Sequence, residues 1–95
     1  MIVKYRKKAR IAILNATLYI EEQGYPINAD KFYERILEFG DSLTTFPEKY
    51  GLCHSNQFAA RNLRCAVFEK NYIFIYKILK HEIVIVNIIH AKRLK

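Results

Sequence analysis

The chain has 95 residues, 52% hydrophobic and 26% charged, which predicts one folded domain over this length and excludes a disordered composition. Sixteen Lys and Arg against nine Asp and Glu leave a net charge of +7, which favours a polyanionic or acidic partner. Lys77, Lys80, His81 and Asn87 interrupt the apolar runs, so no stretch of about 20 residues is left to cross a membrane.

Residues 1–10 carry five basic side chains, Lys4, Arg6, Lys7, Lys8 and Arg10, and no acidic one. Lys92, Arg93 and Lys95 close the chain, and the segment between has eight basic and nine acidic residues. The excess charge therefore belongs to the two ends, as an anion-binding edge or as two solvated tails. Secretion is not expected from the basic start, because Asn15 and Glu21-Glu22 interrupt the apolar stretch after it and it lacks a small-residue cleavage site. A cytoplasmic location is expected.

In chain order, Ile2–Arg6 alternates apolar and polar residues and predicts a short edge strand. From Lys8 the period becomes helical, with Ile11, Leu14 and Leu18 in one row and Ile13, Ala16 or Thr17, and Ile20 in the next. This reads as one broad apolar stripe opposite Lys8, Asn15 and Glu22. Gly24 as a left-handed cap and Pro26 are expected to end this helix. Asn28 is expected to cap a second one, carrying Ala29, Phe32, Tyr33, Ile36, Leu37, Gly40 and Leu43 and closed by Pro47. Residues 48–60 show no period and predict a loop. Leu63–Phe68, Tyr72–Leu79 and Glu82–His90 are dense in Val, Ile, Phe and Tyr and predict three strands, with turns at Lys70-Asn71 and Lys80-His81. The fold class is α+β, β-αα-βββ, a helical hairpin packed on a small antiparallel sheet over residues 1–95.

Two strands are apolar on both faces: Tyr72, Phe74 and Tyr76 alternate with Ile73 and Ile75, and Val84, Val86 and Ile88 with Ile83, Ile85 and Ile89. Two short helices cover one face of a small sheet. The other needs a cover, from the 48–60 loop or, as preferred here, from a partner chain or a second copy, with Tyr72, Phe74 and Tyr76 as partner-binding residues. The same aromatics also suit base stacking, although their spacing fits a core better. Cys53 and Cys65 are too few for a disulfide scaffold and are expected to be free structural thiols. Cys53-His54 with His81 and His90 matches no recurrent zinc spacing, so no metal and no cofactor is expected.

Phe46-Pro-Glu-Lys-Tyr50 with Cys53 after it, Asn71-Tyr-Ile-Phe-Ile-Tyr76, and Ile88-Ile-His-Ala-Lys-Arg93 stand in order on this succession of elements. They resemble the post-helix, middle-strand and closing segments of the RelE/ParE family of bacterial type II toxin–antitoxin systems, over nearly the whole chain. The resemblance implies an intracellular toxin wrapped and neutralised by a cognate antitoxin.

The family divides by target. RelE-like members are ribosome-dependent messenger RNA endonucleases. Their chemistry needs a base, cations for the phosphorane and an acid for the leaving oxygen. Here 53–60 has no lysine, and Ile73 stands where nucleases of the family place arginine. Arg61, Arg64, His90 and Arg93, beside Lys92, are the remaining nuclease candidates, with His90 as acid or base. ParE-like members lack such a set and poison DNA gyrase, which makes that branch the better match. The target- or anion-binding candidates are then Lys4, Arg6, Lys7, Lys8, Arg10, Arg61, Arg64, Lys92 and Arg93. A homodimer of the free protein and a non-toxic basic nucleic-acid-binding module stay open as alternatives.

Overall fold

Ile2–Tyr5 forms β1, Lys7–Gln23 α1 and Pro26–Ser42 α2 in the computed structural model, which describes residues 1–93. A 3-10 turn at Pro47–Lys49 and a short helix α3, Asn56–Ala60, precede β2 (Arg64–Phe68), β3 (Tyr72–Ile78) and β4 (Glu82–His90); a last 3-10 turn spans Ala91–Arg93. The sheet order is β1-β4-β3-β2. The three consecutive strands pair antiparallel, and β1 adds as a parallel edge strand beside β4, which makes the sheet mixed. The α+β class and β-αα-βββ order stand as expected.

The helical hairpin packs on one sheet face, but α1 does so with only part of its apolar surface. Ala9, Ile13 and Ala16 are buried, whereas Ile11, Leu14 and Leu18 are exposed by 46%, 56% and 45%. At about 100° per residue the two rows lie on opposite sides of the helix, so the broad stripe read from the sequence is two faces. Small Ala9 and Ala16 allow a close approach to the sheet, and Ile11, Leu14 and Leu18 are left facing outward.

The connections differ from the expected ones in physically simple ways. Gly24 is in extended backbone (φ −160°), not a left-handed cap. Pro26 starts α2 rather than ending α1, because its missing N–H costs nothing in a first helical turn. Asn28 accordingly lies inside α2, its N–H bonded to the Tyr25 carbonyl (2.9 Å). The helix stops at Ser42, before Pro47, where Thr44 Oγ1 donates to the Asp41 carbonyl (2.8 Å) and the backbone tightens into turns. Between β2 and β3 the left-handed residues are Glu69 and Lys70 (φ 48° and 66°), not Lys70 and Asn71. The Asn71 carbonyl instead accepts the Ala91 N–H (2.8 Å).

β4 does not keep the simple alternation. Ile75 pairs with Asn87 but Tyr76 with Ile85, so Val86 is the extra residue of a bulge. One inserted residue reverses every side chain beyond it. Ile83, Ile85 and Ile88 consequently share the helix-side core, while Val86 and Ile89 join the opposite cluster, exchanging the expected places of Ile88 and Ile89. On β3 two of the three aromatics are core. Phe74 and Tyr76 are fully buried under the helices, so the folded chain does not offer these two to a partner, while Tyr72 beside Phe32 is half-buried and lines a groove.

The other sheet face is closed by the chain itself. Leu63, Ile73 and Ile75 are buried there with Cys53, and Phe58 of α3 and Cys65 pack against them. An antiparallel bridge of Leu52 to Arg64 brings the 51–53 segment onto β2, and Cys53 and Cys65 form a disulfide across it with Cα atoms 4.9 Å apart. Both the expected free thiols and the preferred external sheet cover are thus corrected. Residues 48–60 fold over the face because their few apolar side chains and this non-local bridge hold them there.

Two core tyrosines have an alkaline consequence. Burial, helped by Asp41 and then Tyr33, pushes the Tyr5 phenol up to about 12. Burial likewise raises Tyr76 to about 12 against the lowering effect of Arg64. The unfolded phenol ionises near its ordinary value of 10.0, so the stabilisation is complete below pH 10 and is lost as pH rises to about 12. Denaturant melts over that range are expected to show a falling midpoint, with Tyr5→Phe flattening the slope. A midpoint unchanged up to pH 12 would contradict this.

Candidate functional site

The basic residues of the sequence do not form one patch. Arg6, Lys7 and Lys8 stand where β1 passes into α1, and Arg61 follows α3 on the covered sheet face. These four ring a groove of about 520 Å³ whose floor is Phe58, Leu63, Ile75 and Val86. None of the four has an ion-pair partner among the described residues. The first turn of α1 contains no acidic residue and Arg6 at its start makes no side-chain cap, so the positive end of the helix adds to the cations rather than being offset.

A second groove, of about 620 Å³, lies on the other side of Lys8 and Asn87, which line both. It brings Lys92 and His90 to the flank of α1 beside Tyr19 and Tyr72. The N-terminal basic run thus does meet the start of the C-terminal one, at Lys8 and Lys92. His90 is held by an edge-on contact with Tyr72 (ring centroids 5.5 Å) and accepts the Lys92 N–H at Nδ1 (3.2 Å). The Arg93 side chain and Lys95 lie outside the described residues.

The other candidates are elsewhere. Lys4 is paired with Glu82 (3.1 Å), and Arg10 lines a groove between the two long helices with Asp30 and Tyr33. Arg64 is occupied structurally. Its Nη1 donates to the Tyr50 carbonyl (2.7 Å), while Tyr76 on the neighbouring strand donates its hydroxyl to the Pro47 carbonyl (2.7 Å). The two sequence segments 46–50 and 71–76 are therefore lashed together, which explains what their residues do in the fold. Cys53, weighed above as a metal ligand, is tied up in its disulfide.

Among the described residues the nuclease candidates Arg61, Arg64 and His90 are not assembled. Arg64 is in register with Tyr76 and His90 with Tyr72, four positions apart and so about 13 Å along the sheet. Arg61 faces the first groove and His90 the second. Sequence reading overlooked Phe58 and Asn87 as groove residues. Asn87 carried a signal, being the sole polar residue between Ile83 and Ile89, where a bulge needs a side chain that can bond locally; its Oδ1 accepts the Ile88 N–H (2.9 Å).

A helical hairpin on a four-stranded mixed sheet, with two grooves that share Lys8 and Asn87, defines a small α+β domain. The model of the ParE toxin of type II toxin–antitoxin systems, parDE, matches residues 3–95, and the chain belongs to that family. Among solved structures, the chromosomal ParDE toxin–antitoxin system of P. aeruginosa is similar in fold, with a TM-score of 0.78 at 19% identity over 95% of each chain. No curated protein matches the sequence. Among the described residues no helix is long and apolar enough to cross a membrane.

Proposed function

We propose that this ParE-family toxin acts by binding and inhibiting DNA gyrase, that a cognate antitoxin neutralises it, and that it performs no chemistry of its own. The observation that carries the reading is the dispersal of the described nuclease candidates Arg61, Arg64 and His90. Arg64 is committed to the Tyr50 carbonyl at one end of the sheet, and His90 stands at the other. Transesterification of RNA needs acid, base and cations around one phosphate, within hydrogen-bond reach. A binding toxin needs only an exposed complementary surface, and the ring of Arg6, Lys7, Lys8 and Arg61 is one. The parDE character of the family and of its P. aeruginosa neighbour supports an antitoxin partner.

Supercoiling by purified gyrase should fall on adding the protein. The double change Arg6→Glu and Arg61→Glu should weaken this at least tenfold, while His90→Ala leaves it intact. The alternative, a RelE-like ribosome-dependent messenger RNA endonuclease, rests on His90 beside Lys8 and Lys92 in the second groove. It is the correct one if gyrase is unaffected and translated messages are cut by the wild type but not by His90→Ala. Salt-steep DNA binding with neither effect would point to the plain nucleic-acid-binding module.

A further inference from the structure

The outward apolar row of α1 has no function in the proposed activity, yet three of its large side chains stand in solvent at helical spacing. Ile11, Leu14 and Leu18 form a ridge on the side directly away from the sheet, each about half exposed. Lys7 continues that ridge at its N-terminal end, and Glu21 and Glu22 at its C-terminal end; all three are exposed and without an ion-pair partner among the described residues. Its sequence pattern is cation, three apolar residues, then two anions, along a helix of 17 residues.

That order is self-complementary under a two-fold rotation. An antiparallel second copy of α1, centred between Leu14 and Asn15, sets Ile11 against Leu18 and brings Lys7 to Glu21 and Glu22 of the other copy, twice over. A parallel arrangement would instead oppose Lys7 to Lys7. We infer that the ridge of α1 is an isologous interface through which the free toxin pairs with a second copy of itself. Two-fold contacts of this kind require that one patch match itself, and this patch does in both apolar residues and charge. Tyr33 of α2, which lines a groove with Leu14, widens the contact. Even so, a single helix pair buries less than the roughly 800 Å² per partner of a standard interface, so the dimer dissociates on dilution, in the micromolar range. The inference does not depend on the target of the toxin.

Sedimentation velocity of the purified wild-type protein over a concentration series should show a shift from the monomer mass to twice that mass. Leu14→Glu, and independently Leu18→Glu, should weaken the dimer at least tenfold with an unchanged circular dichroism spectrum, since both side chains are already solvent-facing. Lys7→Glu alone, and Glu21→Lys with Glu22→Lys, should each be monomeric under the same conditions. Mixing those two charge variants should restore the dimer, because each then offers the other an opposite charge. A monomer at every concentration overturns the inference and leaves the ridge to the antitoxin or another partner. So does a dimer indifferent to Leu14→Glu and Leu18→Glu, or charge variants that fail to pair on mixing.

Discussion

Replacing Cys53 and Cys65 together by alanine is expected to cost about 3 kcal/mol of stability, the value for a cross-link closing a loop of this order. The two residues are 12 apart in sequence, and the loop between them includes α3 and runs into β2, whose second residue is Cys65. The melting temperature should fall by roughly 10–20 °C, given the size of the domain. The loss should be concentrated on one side of the sheet. Backbone bonds from Cys53 N–H to the Leu63 carbonyl (2.9 Å) and from Cys65 N–H to the Gly51 carbonyl (3.3 Å) remain available, so the segment can still reach its place. What disappears is the restraint on the unfolded chain that makes closing this loop cheap. Hydrogen exchange should accelerate first at the amides of residues 53 and 63, with the α1–α2 hairpin protected longer. An unchanged melting temperature in the double variant, or under reducing conditions, would show that the cluster of Leu63, Ile73 and Ile75 holds the segment unaided.

Gly40→Ala is expected to destabilise the protein by about 1–3 kcal/mol, the usual range for overpacking a filled core. Elsewhere in a helix the same change would gain close to 1 kcal/mol. Here a methyl group at residue 40 would run into the Tyr5 hydroxyl, with Tyr5 Cζ at 3.1 Å and Ile85 Cδ1 at 3.4 Å behind it. Gly40 is thus the point where α2 touches β1 and β4. The Tyr5 hydroxyl is also the one buried side-chain polar atom among the described residues without a hydrogen-bond partner. Tyr5→Phe by itself should therefore be neutral or stabilising, since it removes a desolvated hydroxyl. Combined with Gly40→Ala, it should recover most of the loss, because the nearest clashing atom is gone. A double-mutant cycle in urea measures the coupling, and strict additivity of the two changes would rule out this contact as the cause.

Both expected effects depend on pairs that sequence spacing does not advertise. Tyr5 and Gly40 are drawn together only when a helix from one part of the chain settles on a strand from another. Cys53 and Cys65 meet only because Leu52 bridges Arg64. The bulge at Val86 is of the same kind: alternation along β4 looked regular, and a single unpaired residue moved Ile88 to the helix side and Ile89 to the other. At α1 the local pattern was correctly helical but could not say which of its two apolar rows would be buried. That choice was made by the small side chains Ala9 and Ala16, which let one row approach the sheet closely.

The basic site was half legible. Charge counting placed the excess at the chain ends, and the four cations of the first groove were all among the candidates. Which of them act together was not, because Lys4 was claimed by Glu82 and Arg64 by the Tyr50 carbonyl. These are short-range bonds across sheet register, and register depends on the whole set of strand pairings.

By itself the sequence determined the helix and strand succession, the α+β class, the family membership carried by its segments at 46–50, 71–76 and 88–93, and a strong positive charge bias. Those properties are written in local periodicity and composition, which survive without knowledge of neighbours. Only the tertiary structure decided that the second sheet face is covered from within, that Phe74 and Tyr76 of the middle strand are core, that Arg61, Arg64 and His90 stand apart, and that the outer row of α1 is left bare. Each of these is a question of which of several compatible surfaces wins the available burial, and burial is settled by packing the whole chain at once.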